Sequence, residues 1–238
     1  MPAKINWRNT LNMKIFSLLG INPIFAVPDA PGSEKQELSL ESLAARLQKA
    51  EDLLAIQQLQ SQYAYWLFTQ EYEKIADQCF AQRAEGIGIE FSDSGVYKGI
   101  EGVRRILKAF EATRSIPGFF TMHLTVNPYI VIAKDGQSAK STWMSPGAAA
   151  SRAGARWIWG PYYVDYVKED GRWKIQYTVF APLFRNRYEH SWVEETDHGS
   201  VRGPFADCPP DAPPTLYRPY DKDQTDLFRD YPDLPEAF

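Results

Sequence analysis

The hydrophobic period of this chain changes from helical to alternating part-way along it, and that order leaves few architectures open. From Leu40 to about Phe68, apolar residues recur at three- and four-residue steps: Leu43, Leu47, Leu53, Leu54, Ile56, Leu59, Tyr63, Trp66 and Leu67. This is the period of a helix with one apolar face. Ser39, just ahead of it and three residues before Ser42, is a candidate but incomplete cap. Glu71 to Phe80 reads as a second, shorter helix, with Tyr72, Ile75, Ala76 and Phe80 on its buried side. Glu85 to Phe91 alternates as a strand, Asp93-Ser94-Gly95 turns, and Val96-Tyr97 resumes. Lys98-Gly99 opens another turn. A third helix spans Glu101 to Thr113, with Val103, Ile106, Leu107 and Phe110 inward. Four longer strands follow: Phe119–Ala133, Gln137–Met144, Arg156–Lys168 and Trp173–Phe180. Tight turns at Lys134-Asp135-Gly136 and Glu169-Asp170-Gly171 mark hairpins. The third of these strands is expected to bend near Gly160-Pro161, because proline gives no ladder donor. Helices followed by paired strands predict an α+β domain.

The ends of the chain differ in texture from its middle. Residues 1–36 are irregular, and Pro28, Pro31, Gly32 and Ser33 mark a loop before the first helix. Met13-Lys14 precedes a modest apolar run, IFSLLGINPIFAVPDA, which resembles a weak export signal. The expected location is cytoplasmic, with export as the alternative if that run is a signal. No stretch reaches the ~18 apolar residues of a membrane span. The main domain is expected over 37–182. Beyond it, 183–238 reads as a long irregular arm: eight of the 17 prolines lie past residue 200, with Tyr217, Tyr220, Phe228, Tyr231 and Phe238 spaced among them. That is too aromatic for a free linker. The arm is expected to lie over the domain, a neighbour or a pocket mouth.

Charge excludes more than it suggests. The 30 acidic and 26 basic residues leave a net charge of -4, with no cationic stripe. Nucleic-acid binding needs such a footprint and is not expected. Cys79 and Cys208 form no metal-binding spacing and are expected as reduced thiols, Cys79 buried near a helix end. His190 and His198, with Glu189, Glu194, Glu195 and Asp197, read as a solvated patch rather than a metal site. No nucleophile elbow, phosphate loop, dinucleotide fingerprint or HExxH is present. Proton-transfer chemistry remains, and no metal or organic cofactor is expected.

Four stretches carry a resemblance: YAYWLFTQEYEKIADQCF, SGVYKGIEGVRRIL, TMHLTVNPYI and YVKEDGRWKI. From about Glu51 to Pro182 the chain resembles the SnoaL-like branch of the NTF2-like superfamily, which includes scytalone dehydratase and polyketide cyclases. The resemblance implies a cone: a curved, mostly antiparallel sheet wrapped against the N-terminal helices around a deep apolar pocket. It also implies a homodimer or homotrimer and a small aromatic or apolar substrate. Fold alone does not set chemistry, since the superfamily holds dehydratases, isomerases, cyclases and binders.

His123 in TMHLTVN matches the strand histidine that serves as base or acid in the related dehydratases. Its ordinary pKa near neutrality suits proton transfer. Parity groups it with Thr125 and Asn127 on a polar face, opposite Met122, Leu124, Val126 and Ile130. Tyr63 and Tyr65 are candidate phenol donors to an oxyanion, with one of the two expected inward. The dehydratases carry a Tyr-Asp pair where this chain has approximately Leu67-Phe68. A carboxylate would then come from elsewhere, and Asp165 is the candidate, with Glu90 beside it. Expected substrate contacts are Asn127, Trp143, Arg156, Trp157, Trp159, Tyr162 and Tyr163. Arg156 would pair with a carboxylate or phenolate, and the aromatics would stack on a flat ligand. Arg185 and Arg187 are placed at the rim. The expected activity is a cofactor-independent lyase of the dehydratase type, with loss of formaldehyde from an aromatic diol also compatible. The alternatives are a steroid or polyketide isomerase or cyclase, and a non-catalytic binder of apolar ligands.

Overall fold

The first helix, α1, spans Leu40–Phe68 in a computed structural model that describes residues 39–194, 207–229 and 231–238. The expected N-terminal arm and the signal-like run lie outside the described residues. The cap forms: Ser39 Oγ accepts the Ser42 N–H at 3.0 Å, satisfying one of the donors a helix start leaves free. The helix ends where Gln70 takes a left-handed φ of 60° and the Glu71 N–H turns back to the Trp66 carbonyl. Burial begins only at Asp52 and then follows Ile56, Leu59, Gln60, Tyr63 and Leu67. Leu47 and Leu54, read as core from their spacing, are exposed. Asp52 anchors the helix by accepting the Trp173 indole N–H at 2.7 Å and a Lys168 ammonium proton at 3.0 Å.

The second helix is shorter than its sequence suggests and widens part-way along. A single turn, α2 (Tyr72–Lys74), runs into a π-turn over Ile75–Cys79. Helix α3 (Gly99–Phe110) buries Val103, Ile106, Leu107 and Phe110 as expected.

Eight strands form one curved, unclosed sheet: β1 (Gly88–Phe91), β2 (Gly95–Lys98), β3 (Phe120–His123), β4 (Val126–Ile132), β5 (Ser138–Ser151), β6 (Gly154–Glu169), β7 (Arg172–Phe180) and β8 (Phe184–Arg187). Their order is β2-β1-β7-β6-β5-β3, with β4 also on β5 and β8 also on β6. The β1–β7 pair is parallel and the others are antiparallel. The segment read as one strand over Phe119–Ala133 is two. It breaks after His123, and Asn127 adopts a φ of 52° before Pro128. Strands β5 and β6 run to 14 and 16 residues, longer than expected, because a tight turn at Ser151–Gly154 closes them into one hairpin.

The bend expected at Gly160-Pro161 takes the form of a change of partner. On one edge β6 pairs with β8 up to Trp159 and with β7 from Tyr162 onward. Pro161 gives no donor, but its carbonyl accepts the Ala181 N–H at 3.0 Å. A Cβ on Gly160 would stand 2.1 Å from the Ala181 carbonyl oxygen, so only glycine admits this crossing. Strand β8 lies past Pro182, in a segment read from sequence as irregular.

Alternation along the strands divides the sheet into a concave and a convex side. Helical residues such as Ile56, Tyr63, Ile75 and Ile106 pack with Ile89, Tyr162, Tyr166, Ile175 and Phe180 of the sheet in the core. Cys79 and Cys208 are both buried and free. Among the described residues no helix is long and apolar enough to cross a membrane.

The described part of the C-terminal arm lies against its own domain. Asp211 accepts the Lys98 N–H at 2.8 Å and a Arg105 guanidinium N–H at 2.6 Å, closing the start of α3. Ala212 bridges Val96, the Tyr220 N–H reaches the Leu183 carbonyl, and the Lys134 N–H reaches that of Phe238. The anchor is Glu90, fully buried, whose carboxylate accepts from Thr215 N–H (2.7 Å), Thr215 Oγ1 (2.8 Å), Leu216 N–H (3.1 Å) and Tyr177 OH (2.9 Å). Glu90 is therefore a structural carboxylate. Glu90→Ala leaves these donors unmatched and is expected to cost about 3 kcal/mol in urea unfolding. It should also expose the arm to protease before the domain itself is cut.

Candidate active site

His123 closes β3 and faces the concave side of the sheet, with 8% of its surface exposed. Room for its ring comes from Gly147, its partner on β5: a Cβ there would lie 2.9 Å from His123 Nδ1. The ring stands edge-on to Phe180 at 4.8 Å and to Tyr162 at 6.4 Å. Nδ1 is 3.5 Å from Ser145 Oγ, a long and weak contact. Nε2 has no hydrogen-bond partner among the described residues. Burial, with the Arg185 charge adding to it, lowers the imidazole pKa from its ordinary 6.5 to about 3. The ring is neutral at physiological pH, which is the state a proton acceptor needs.

Two phenols meet beside it. The Tyr63 and Tyr162 rings stand edge-to-face at 6.2 Å, close enough for each phenol to bear on the other's proton affinity. Burial raises both pKa values well above the ordinary tyrosine range, so both stay protonated. Cys79, placed against Tyr63 by the π-turn, is pushed up to about 12 by burial and remains a thiol. Behind them lies a second network. The Tyr166 hydroxyl donates to Gln60 Oε1 at 2.9 Å and accepts from Ser141 Oγ and the Trp143 indole N–H, each at 3.1 Å. Gln60 Nε2 is buried without a partner. Arg185 and Asp93 form an ion pair at the same side of the sheet.

The structure brings together His123, Tyr63, Tyr162 and Trp143 from among the residues that the sequence singles out. It does not bring the others. Tyr65 is 63% exposed, on the far side of α1 from Tyr63. Asp165 pairs with Lys140 at 2.9 Å on the convex side, so it is not the missing carboxylate. Tyr163 shares its parity. Trp157 and Trp159 are convex too: Trp159 stacks on Phe184 at 6.0 Å, and Trp157 meets Tyr188 at the same distance. Arg156 is exposed near the turn end of the hairpin, and Asn127 is exposed in the kink before Pro128. For Trp157, Trp159, Tyr163 and Asp165 the reason is parity. The even positions of β6 (Ile158, Tyr162, Val164, Tyr166) are buried, and the odd ones point outward. The apolar set Met122, Leu124 and Val126 is likewise the exposed set.

Reading the sequence placed Arg185 only at the rim and missed Asp93 and Phe180 altogether. Phe180 follows a register shift in the β6–β7 pairing, which breaks simple alternation. Arg185 sits in FRNR, a run with no apolar alternation to mark it as strand. Of the expected solvated patch, His190 and Glu194 are exposed, while His198, Glu195 and Asp197 lie outside the described residues. Among the described residues no group of acidic, His and Cys side chains could hold a metal ion.

A sequence model of the SnoaL-like domain matches residues 48–179. Comparison with curated proteins finds no match. Among solved structures, a scytalone dehydratase-like protein from Novosphingobium aromaticivorans superposes with a TM-score of 0.52 at 17% identity, covering 60% of this chain and 91% of that one. The hexachlorocyclohexane dehydrochlorinase LinA-type3 from Novosphingobium barchaimii gives 0.52 at 15% identity, covering 61% and 96%. At these identities the likeness is one of fold.

The depressed His123 pKa has a measurable consequence. The unfolded chain takes this proton near pH 6.5 and the folded chain near pH 3. Stability from the neutral ring is full above pH 6.5 and falls as pH drops toward 3. Between about pH 6.5 and 5, wild type should lose up to ~1.4 kcal/mol per pH unit more than His123→Gln in urea titrations.

Proposed function

The chain belongs to the SnoaL-like family, and from that premise we propose that it is a cofactor-independent lyase of the dehydratase type. The observation that carries this reading is the neutral, buried His123 with the Tyr63–Tyr162 hydroxyl pair on the same face. His123 takes a proton from the carbon next to the breaking bond. One of the two phenols donates to the departing or developing oxygen, which stabilises charge where it forms. Phe180 and Trp143 give the aromatic wall, in place of Trp157 and Trp159. A hydroxylated aromatic or polycyclic compound suits this lining. The structural neighbours carry the names of a dehydratase and a dehydrochlorinase, both eliminating enzymes. Release of formaldehyde from an aromatic diol uses the same base and stays within this proposal.

The same base also serves an isomerase or cyclase acting on a steroid or polyketide. A specific observation favours a third reading, a non-catalytic binder: no carboxylate hydrogen-bonds to His123 among the described residues. Phe68, 45% exposed, stands near where the dehydratases have an aspartate.

A homodimer or homotrimer fits the outer surface. Met122, Leu124, Val126, Tyr129, Met144 and Trp159 form an exposed apolar strip on the convex side, next to the part that the arm covers. Met144→Glu should shift the species seen by light scattering toward monomer.

The deciding assay is mass spectrometry on the protein incubated with aromatic β-hydroxy compounds, arylpropane diols, hydroxysteroids and polyketide-like phenols. Loss of water or formaldehyde is expected, abolished in His123→Ala and reduced about 100-fold in Tyr162→Phe. A product of unchanged mass would support the isomerase or cyclase. Retention of one compound without turnover would support the binder.

A further inference from the structure

The concave side holds a charged pair that proton transfer by His123 leaves unused. Arg185 and Asp93 expose only 15% and 3% of their side chains, and Arg185 Nε donates to Asp93 Oδ2. One row across the sheet positions the arginine. His123 on β3 faces Gly147 on β5, Gly147 faces Ile158 on β6, and Ile158 faces Arg185 on β8. Neighbouring strands lie ~4.8 Å apart, so the two ends of the row stand about 14 Å apart at the backbone. Of the two residues between them, Gly147 has no side chain and Ile158 packs into the core. The side chains of His123 and Arg185 converge on one ring: Phe180 is 4.8 Å from the imidazole and 5.6 Å from the guanidinium carbon.

The pair is incompletely satisfied. A guanidinium carries five N–H donors in a rigid fork. Only Nε is matched by a hydrogen bond among the described residues. Asp93 Oδ1 is buried with no partner either, so the aspartate is not spread over other donors. A desolvated fork of this kind matches the two oxygens of a carboxylate, or one phenolate oxygen, better than any neutral group. The anion-pairing role expected of Arg156 has its fitting geometry at Arg185 instead.

We propose that Arg185 is the anion anchor of the cone: it binds a carboxylate or phenolate oxygen of the ligand, with Asp93 fixing the orientation of the fork. The inference rests on the cone being the ligand site. It does not need turnover. An anion docked there lies across Phe180 from the imidazole, which orients the rest of an aromatic ligand toward His123.

Calorimetric binding of 2-naphthoate and its neutral isostere 2-naphthamide to the full chain tests this. Wild type is expected to prefer the carboxylate by about tenfold or more. In Arg185→Gln the preference should fall below about threefold, with naphthamide affinity nearly unchanged. Asp93→Asn keeps an oxygen that accepts from Arg185 Nε, so the fork stays oriented, and removes the competing charge, so the preference should hold or rise. It also serves if Arg185→Gln does not fold. Equal binding of the two compounds by wild type, binding of neither, a preference that survives in Arg185→Gln, or a preference that falls in Asp93→Asn would each overturn the proposal. A naphthoate preference in a protein that turns over nothing would leave the anchor standing and count against the lyase alone.

Discussion

Everything in this fold that bears on function hangs on the ladder between β5 and β6. Fourteen consecutive residue pairs, from Ser138–Val167 to Ser151–Gly154, run without a slip. Side chains alternate strictly along such a ladder, so one register decides which residues face the helices and which face outward. It sends Ser141, Trp143, Ser145, Tyr162 and Tyr166 inward and Lys140, Met144, Trp159 and Asp165 outward. Strands β3, β7 and β8 then take their register from this hairpin. His123 reaches the concave side because its partner, Gly147, does; Arg185 does so because Ile158 does.

The helices and the order of strands were legible in the sequence because their signals are local. Period, caps and the two Asp-Gly turns each involve a few neighbouring residues. The face of each strand was harder to read. Trp157, Trp159 and Tyr163 look like ligand contacts when aromatic content is the guide, but their parity with Asp165 and Lys140's partner positions puts them outside. Of the polar face read as His123, Thr125 and Asn127, only His123 is buried, because the strand breaks after it. Of its apolar opposite, Met122, Leu124 and Val126 are exposed, while Ile130, past the kink, packs against the core. Arg185 and Asp93 were hidden for a different reason. They are far apart in sequence and meet only when β8 crosses Gly160 to pair with β6, a long-range event with no local signature.

The chemistry of the concave side is that of groups kept neutral by burial. An imidazole deprived of water gives up its proton, and phenols and a thiol keep theirs, because in each case the uncharged form is favoured. Such a set can pass a proton without first desolvating a charge. The Arg185–Asp93 pair is the charged element there. It is tolerated because the two charges offset each other. The C-terminal arm contributes from the other side of the sheet, where Glu90 ties it over β1.

The central claim is that His123 is a neutral imidazole inside this cone. Long-range proton–nitrogen NMR of the imidazole in the full chain reads it directly. The account predicts that the His123 nitrogens keep the neutral pattern from pH 8 down to about pH 5, with Nε2 and Nδ1 distinct. A His123 ring that takes up its proton near the ordinary histidine value would contradict it, and with it the assignment of this residue as a buried base.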